Sequence, residues 1–191
     1  FMIIKNRDYG DSAHVYHASN GASCTMEIPS SSARNCSGVS SIWNSTTPTS
    51  SVFSVGNNGN INKTSSPIVV WLFAPKQGFS KFGSYLGNNN ADGMYVHLGF
   101  RPAFVLIKNA TDGADWTIND IARDPHNVNN LRLFPNDPKV EDSGSDSMDM
   151  MANGFKLKST DSGNNAVQTY IYAAFAEAPF VTSKGVPCNA R

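Results

Sequence analysis

A chain of 191 residues in which fifteen Lys and Arg balance fifteen Asp and Glu has no net charge, so no chain-wide basic field draws it to nucleic acid or anionic lipid. Charged residues are 16% of the total, below the roughly 25% of an ordinary domain, and 21 Asn, 23 Ser and 10 Thr supply the polar surface instead. Seven Leu and three Glu are too few for helix bundles or coiled coils, while 40% hydrophobic residues suffice for a packed core and exclude disorder.

In chain order, the opening Phe1-Met2-Ile3-Ile4-Lys5-Asn6 reads as a strand that meets charge at Lys5, so no secretory leader is expected there. Further blocks of β-branched and aromatic residues, bounded by Gly, Pro, Asn, Asp or Ser, recur around Val15, at 26–29, 52–55, 68–74, 81–86, 94–98, 104–109, around Ile118, and at 132–135, 154–157 and 170–176. The longest apolar run, Ile68 to Ala74, is fenced by Pro67 and Pro75 and falls far below the ~20 residues of a transmembrane helix, so no membrane insertion is expected. Lys81–Leu86 and Met94–Leu98 flank a Gly/Asn-rich segment whose closing Asp92-Gly93 suits a hairpin loop. Helix is expected only as single turns at Asp120–Arg123 and near Asp146–Ala152. Cys24, Cys36 and Cys188 lack C-x-x-C spacing and are read as free thiols, with Cys24–Cys36 pairing across a Ser-rich loop as the alternative.

Laid against itself, the chain repeats. Phe1-Met2-Ile3-Ile4-Lys5-Asn6 matches Phe104-Val105-Leu106-Ile107-Lys108-Asn109, Gly10 falls on Gly113, Val15 on Ile118 and His17 on Asp120. Met26–Pro29 parallels Arg132–Pro135, Val52–Val55 parallels Gly154–Leu157, and Ile68–Ala74 parallels Tyr170–Ala176. Five blocks in one order indicate an internal duplication with a period of about a hundred residues. The expected organisation is repeat unit 1 over 1–79, a linking hairpin over 80–103, repeat unit 2 over 104–180 and a tail over 181–191, with both units in one compact domain. Twelve short strands predict an all-β, antiparallel two-sheet sandwich of jelly-roll or lectin-like type, with a closed barrel as the alternative. Duplicated apolar phase predicts that Ile4 and Ile107, and likewise Phe73 and Phe175, are buried, and that the face carrying Val69, Trp71 and Phe73 is packed.

The string Gly99-Phe100-Arg101-Pro102-Ala103-Phe104-Val105-Leu106-Ile107-Lys108-Asn109, then Trp116, Asp120-Ile121-Ala122-Arg123-Asp124, Asn153-Gly154-Phe155-Lys156-Leu157 and Tyr170-Ile171-Tyr172-Ala173-Ala174-Phe175-Ala176-Glu177-Ala178-Pro179-Phe180, resembles a C-terminal repeat domain of tail-fibre and other virion proteins of tailed bacteriophages, marine ones especially. Unit 1 shares Ile4-Lys5-Asn6-Arg7 but has Ala13 where the pattern expects Trp. The resemblance implies a virion or extracellular location, other virion proteins as partners, self-association (a trimer first), and a host-attachment role on a surface receptor or glycan. A capsid-decorating or fibre-forming module without ligand is the alternative, and a glycan hydrolase a third reading. Because unit 2 is preceded by the 81–98 segment and unit 1 starts at Phe1, the chain is also read as the C-terminal part of a longer polypeptide, with upstream residues of that polypeptide, 81–98 or Phe180-Val181-Thr182-Ser183 as candidates to cover the free edge, and Ser183–Arg191 as the closing tail.

No catalytic constellation is expected. Glu27, Glu141 and Glu177 have no acidic partner at i, i+2 or i+4 on a predicted strand, Asp92, Asp112, Asp115, Asp120 and Asp124 read as turn residues, and His14, His17, His97 and His126 stand without a G-x-S-x-G nucleophile turn. The oxygen-rich stretches 88–93 and 142–147 do not fit a calcium loop, and no phosphate-binding glycine motif occurs, so neither metal nor cofactor is expected. Binding is expected through loop aromatics and amides. Trp43 and Asn44, in a polar loop, could stack on a sugar or sit in an interface, or Trp43 could fold back to plug the sandwich end; Tyr85, Asn89 and Tyr95 beside the Asn-rich segment are the second candidates.

Overall fold

A computed structural model of the protein describes residues 1–8, 10–144 and 148–178. Ser145, Asp146 and Ser147 of the oxygen-rich stretch, Cys188, the proposed edge-covering Phe180–Ser183 and the tail lie outside the described residues. The chain divides into two compact units, Phe1–Phe73 and Ala74–Arg191.

Unit 1 holds β1 (Met2–Asn6), β2 (Ala13–Tyr16), β3 (Met26–Ile28), a one-turn helix α1 (Ser40–Trp43) and β4 (Ile68–Leu72). The strands form one antiparallel sheet in the order β3-β2-β1-β4. Alternation along β1 buries Met2, Ile4 and Asn6, and the first two join Tyr16, Ile42, Trp43 and Ile61 in a core that Phe53, Val55 and Val70 flank.

Unit 2 is a sandwich. One sheet contains β5 (Ser80–Leu86), β7 (Pro102–Asn109), β8 (Thr117–Asp120), β9 (Arg132–Leu133) and β12 (Thr169–Ala176) in the order β5-β12-β7-β8-β9, and the other contains β6 (Tyr95–His97), β10 (Met148–Met151) and β11 (Gly154–Leu157) in the order β10-β11-β6. Val105, Ile107, Tyr170, Tyr172 and Ala174 from the first sheet meet Val96, Met148, Met150, Phe155 and Leu157 from the second in one core. The sheets are antiparallel and open, an all-β sandwich and not a closed barrel.

The duplication is carried in hydrogen-bond register. Order β3-β2-β1-β4 repeats as β9-β8-β7-β12, and Ile4 opposite His14 and Val70 reappears as Ile107 opposite Thr117 and Tyr172. The third strand is displaced by one residue from the sequence alignment, since Val15 faces Met26 whereas its counterpart Ile118 faces Leu133. The repeated Lys-Asn has a structural cause: Asn6 and Asn109 end their strands and accept from the amides of Asp8 at 2.9 Å and of Thr111 and Asp112 at 3.0 Å, turning the chain.

Four expectations are corrected. Residues 52–55 form no strand, because among the described residues unit 1 has no counterparts of β10 and β6 for them to pair with, and that stretch is held as a loop by Gly56 N donating to Ile42 O at 2.7 Å. β5 and β6 are not a hairpin; they belong to opposite sheets, each paired to a strand from far along the chain. The expected turn of helix near Asp146–Ala152 is strand β10, whose alternating Met148 and Met150 face the core. The face carrying Trp71 and Phe73 is not packed, with these rings 47% and 36% exposed, whereas Ile4 and Ile107 are fully buried and Phe175 is half-buried.

Candidate ligand-binding site

A polar depression in unit 2 forms beside β9. Arg132 and Asp142 exchange backbone hydrogen bonds at 2.9 and 3.1 Å, folding the loop between them back on itself. The Arg132 guanidinium pairs with the Asp142 carboxylate and lies 5.3 Å from the Phe134 ring centre, over which Lys139 Nζ sits at 3.8 Å. Lys139 also pairs with Asp115, which accepts from Asn136 at 2.8 Å. These side chains, with Asp161, line an open depression of about 210 Å³. The Thr117 hydroxyl at its wall is buried and without a hydrogen-bond partner.

Unit 1 repeats this place. Thr25 and Asn35 exchange backbone hydrogen bonds of 2.8 Å each, and beside them Thr25, Glu27, Ser32 and Asn35 line a depression of about 230 Å³. Aligned on the slipped register of the third strand, Thr25, Glu27, Ser32 and Asn35 fall on Arg132, Phe134, Lys139 and Asp142 at one constant offset. The geometry is duplicated and the chemistry has diverged. In unit 1 the loop is closed by a Cys24–Cys36 disulfide flanking the bridge, which corrects the free-thiol reading, while in unit 2 the ion pair of Arg132 and Asp142 stands at the bridge itself.

The residues expected from sequence do not come together. Trp43 is a core residue, 1% exposed, with Nε1 donating to Cys24 O at 3.1 Å and its ring edge-on to Tyr16, so it offers nothing to a ligand. It reaches the core because α1 turns it inward; Asn44 ends that turn in the left-handed region (φ 51°) and is exposed at the rim of a wider, shallow depression. Tyr85 is likewise buried, stacked on Tyr170 and donating to Asn164 O at 2.7 Å, and burial holds its hydroxyl well above the usual tyrosine range. Asn89 and Tyr95 are exposed, Asn89 with its amide donating to Asn165 O at 2.7 Å and Tyr95 on the outer side of β6. Of the Asn88–Gly93 oxygens, the Asn88 and Asn90 side chains cap the amides two residues on, the Asn90 carbonyl accepts from the Asn165 side chain at 2.8 Å, and the Asp92 carboxylate pairs with Lys156. Sequence reasoning missed Thr117, Arg132, Phe134 and Lys139; the signal was in the duplication, as the places where charge and an aromatic replace the small polar residues and the Glu of unit 1.

Asp115 and Asp142 are poorly set for glycosidic acid catalysis. Burial pulls the Asp115 carboxyl up, but hydrogen bonds from Lys139 and Asn136 outweigh it and hold the group below the usual range; the Gly144 amide and Arg132 do the same for Asp142. A glycosidase acid needs the opposite shift. Among the described residues no cluster of three or more His, Cys, Asp or Glu is placed to hold a metal ion.

Fold and site together define an internally duplicated all-β protein with a loop depression at the same place in each unit. The chain belongs to the family described as Domain of unknown function (DUF7483), whose model matches residues 1–179. No curated protein and no solved structure matches it.

Proposed function

We propose that the protein is a non-catalytic attachment module of a bacteriophage virion, in which each unit presents one loop depression to a surface glycan or receptor. The recurrence of the depression on an equivalent strand bridge, with its lining changed from Thr, Glu, Ser and Asn to Arg, Phe, Lys and Asp, carries this reading, because a constant scaffold with diverged loops is how binding surfaces acquire specificity. At about 210 Å³ the unit 2 depression is below the 300–1,000 Å³ of drug-sized sites, a size for one polar ring, with Phe134 and charged donors and acceptors in its lining. The disulfide supports an extracellular location, since such bonds persist outside reducing compartments. Homo-oligomerisation and contacts with other virion proteins belong to the same reading.

Binding of the purified protein to host cells and to isolated surface polysaccharide tests it. Binding is expected to weaken at least tenfold in Lys139→Ala, with polysaccharide chain length unchanged after incubation. Absence of binding by the folded protein overturns the attachment role in favour of a packing module, and shortened chains overturn the non-catalytic one.

A further inference from the structure

We propose that the outer edge of β4 is an acceptor for one antiparallel strand of another polypeptide, with the side-chain pattern that β5 displays. Phe1 N donates to Phe73 O at 3.1 Å and Phe73 N to Phe1 O at 2.9 Å, and Arg7 N donates to Pro67 O at 3.0 Å, so the hydrogen-bonded pairs between β1 and β4 fall on Phe73, Trp71 and Val69. Antiparallel ladders alternate, so the N–H and C=O groups of Ile68, Val70 and Leu72 point away from β1. Among the described residues no strand is hydrogen-bonded on that side.

Unit 2 shows what the same edge takes. The counterpart strand β12 bonds to β7 through Ile171 and Ala173, as Ala110 N donating to Thr169 O at 2.8 Å fixes, and turns the backbone N–H and C=O groups of Tyr170, Tyr172 and Ala174 away from β7, toward β5. There β5 pairs along seven residues, Tyr85 opposite Tyr170, Gly83 opposite Tyr172 and Lys81 opposite Ala174, with Gly87 N donating to Gln168 O at 2.9 Å and Ala176 N to Phe79 O at 2.8 Å. Since β1, β2 and β4 keep the register of β7, β8 and β12, the unfilled place beside β4 has the same geometry, and a guest strand in that register sets its glycine opposite Val70 and its first aromatic opposite Trp71. Ile68, Trp71 and Leu72 are 36%, 47% and 60% exposed, and no charged residue lies between Lys63 and Lys76 to repel a guest. An uncharged, exposed strand edge of this length is a template for strand addition.

The test uses the full chain and a synthetic peptide with the sequence of residues 79–87, read by amide hydrogen exchange. The peptide is expected to slow exchange at Ile68, Val70 and Leu72 at least tenfold, leaving Val69 and Trp71 unchanged. N-methylation of the peptide at Gly83, whose amide faces the acceptor, is expected to abolish the protection, and N-methylation at Phe82, whose amide faces away, to preserve it; these peptide variants leave the protein's own folding untouched. Equal loss with both methylated peptides, or no protection at all, overturns the proposal. So does a concentration-dependent dimer that protects the same three amides without peptide, which assigns the edge to a second copy, and so does peptide binding that occurs only after removal of residues 179–191, which assigns it to the chain's own end.

Discussion

Lys108 carries a cation whose titration is displaced by burial. It is fully buried at the end of β7, its ammonium donating to Asn109 O at 2.9 Å, and burial lowers its pKa from 10.5 to about 8 against the pull of Asp115 and Asp112. The folded chain therefore releases this proton near pH 8 and the unfolded chain near 10.5, so between those values the unfolded state binds more protons and stability rises with pH. Lys108→Met removes that slope: the difference in unfolding free energy between parent and variant, read from urea curves, is expected to narrow from pH 8 to 9.5. At pH 7, where the parent buries a charge, the variant is expected to be more stable by roughly 1–3 kcal/mol. A pH-independent difference refutes the lowered pKa. Trp43 makes the second argument at this scale. Trp43→Ala is expected to cost about 3–5 kcal/mol by emptying the unit 1 core. Trp43→Phe is expected to cost about 1–3 kcal/mol, chiefly because it leaves Cys24 O without its donor. Host binding unaffected by Trp43→Phe, with stability reduced, is the outcome a core role requires.

Among the elements, those with a duplicate were legible in the sequence. β1, β2 and β4 were readable because apolar blocks repeat at one spacing and strand register then follows. The third strand slipped by one because Met26–Pro29 and Arg132–Pro135 align best by letter, through their shared proline, while backbone pairing follows Met26 on Leu133. Residues 52–55 have strand composition without neighbours, and β5 and β6 have hairpin punctuation without pairing, because a strand is decided by partners that local pattern does not name. Trp43, amid Asn, Ser and Thr, left an exposed ring and one folded back into the sandwich both open, because its one-turn helix has no apolar periodicity. The paired depressions were invisible for the same kind of reason: Arg132 and Asp142 meet through a bridge outside any long strand. Gly154 tests the pairing of β11. A methyl there would stand 2.1 Å from Val96 O on the neighbouring β6, and backbone cannot yield as a side chain can. Gly154→Ala is therefore expected to cost roughly 1–3 kcal/mol in chemical denaturation, with lost exchange protection at the β6–β11 ladder. A neutral result would mean that the two strands are not in this register.

The whole molecule places its cross-link unevenly. Each unit has its own core, and the two clusters share no residue. The disulfide lies in unit 1, beside the bridge of Thr25 and Asn35, with a sequence separation of 12, and its Cys24 carries the carbonyl that Trp43 holds. In the chain-entropy account a cross-link closing a loop of this size stabilises the folded state by about 3 kcal/mol, by restricting the unfolded one. Unit 2 closes the corresponding loop with an ion pair between a buried Arg132 side chain and a part-exposed Asp142, whose strength does not depend on redox state. Reduction is therefore expected to act on unit 1. With dithiothreitol, or in a Cys24→Ser/Cys36→Ser chain, amide exchange in β1 and β2 is expected to accelerate by roughly one to two orders of magnitude, corresponding to about 1.4–2.7 kcal/mol. Exchange in β7 and β12 is expected to stay as it was. Parallel acceleration in both sets of strands would show that the units open as one cooperative body, and no acceleration in either would show that the cross-link does not stabilise the fold.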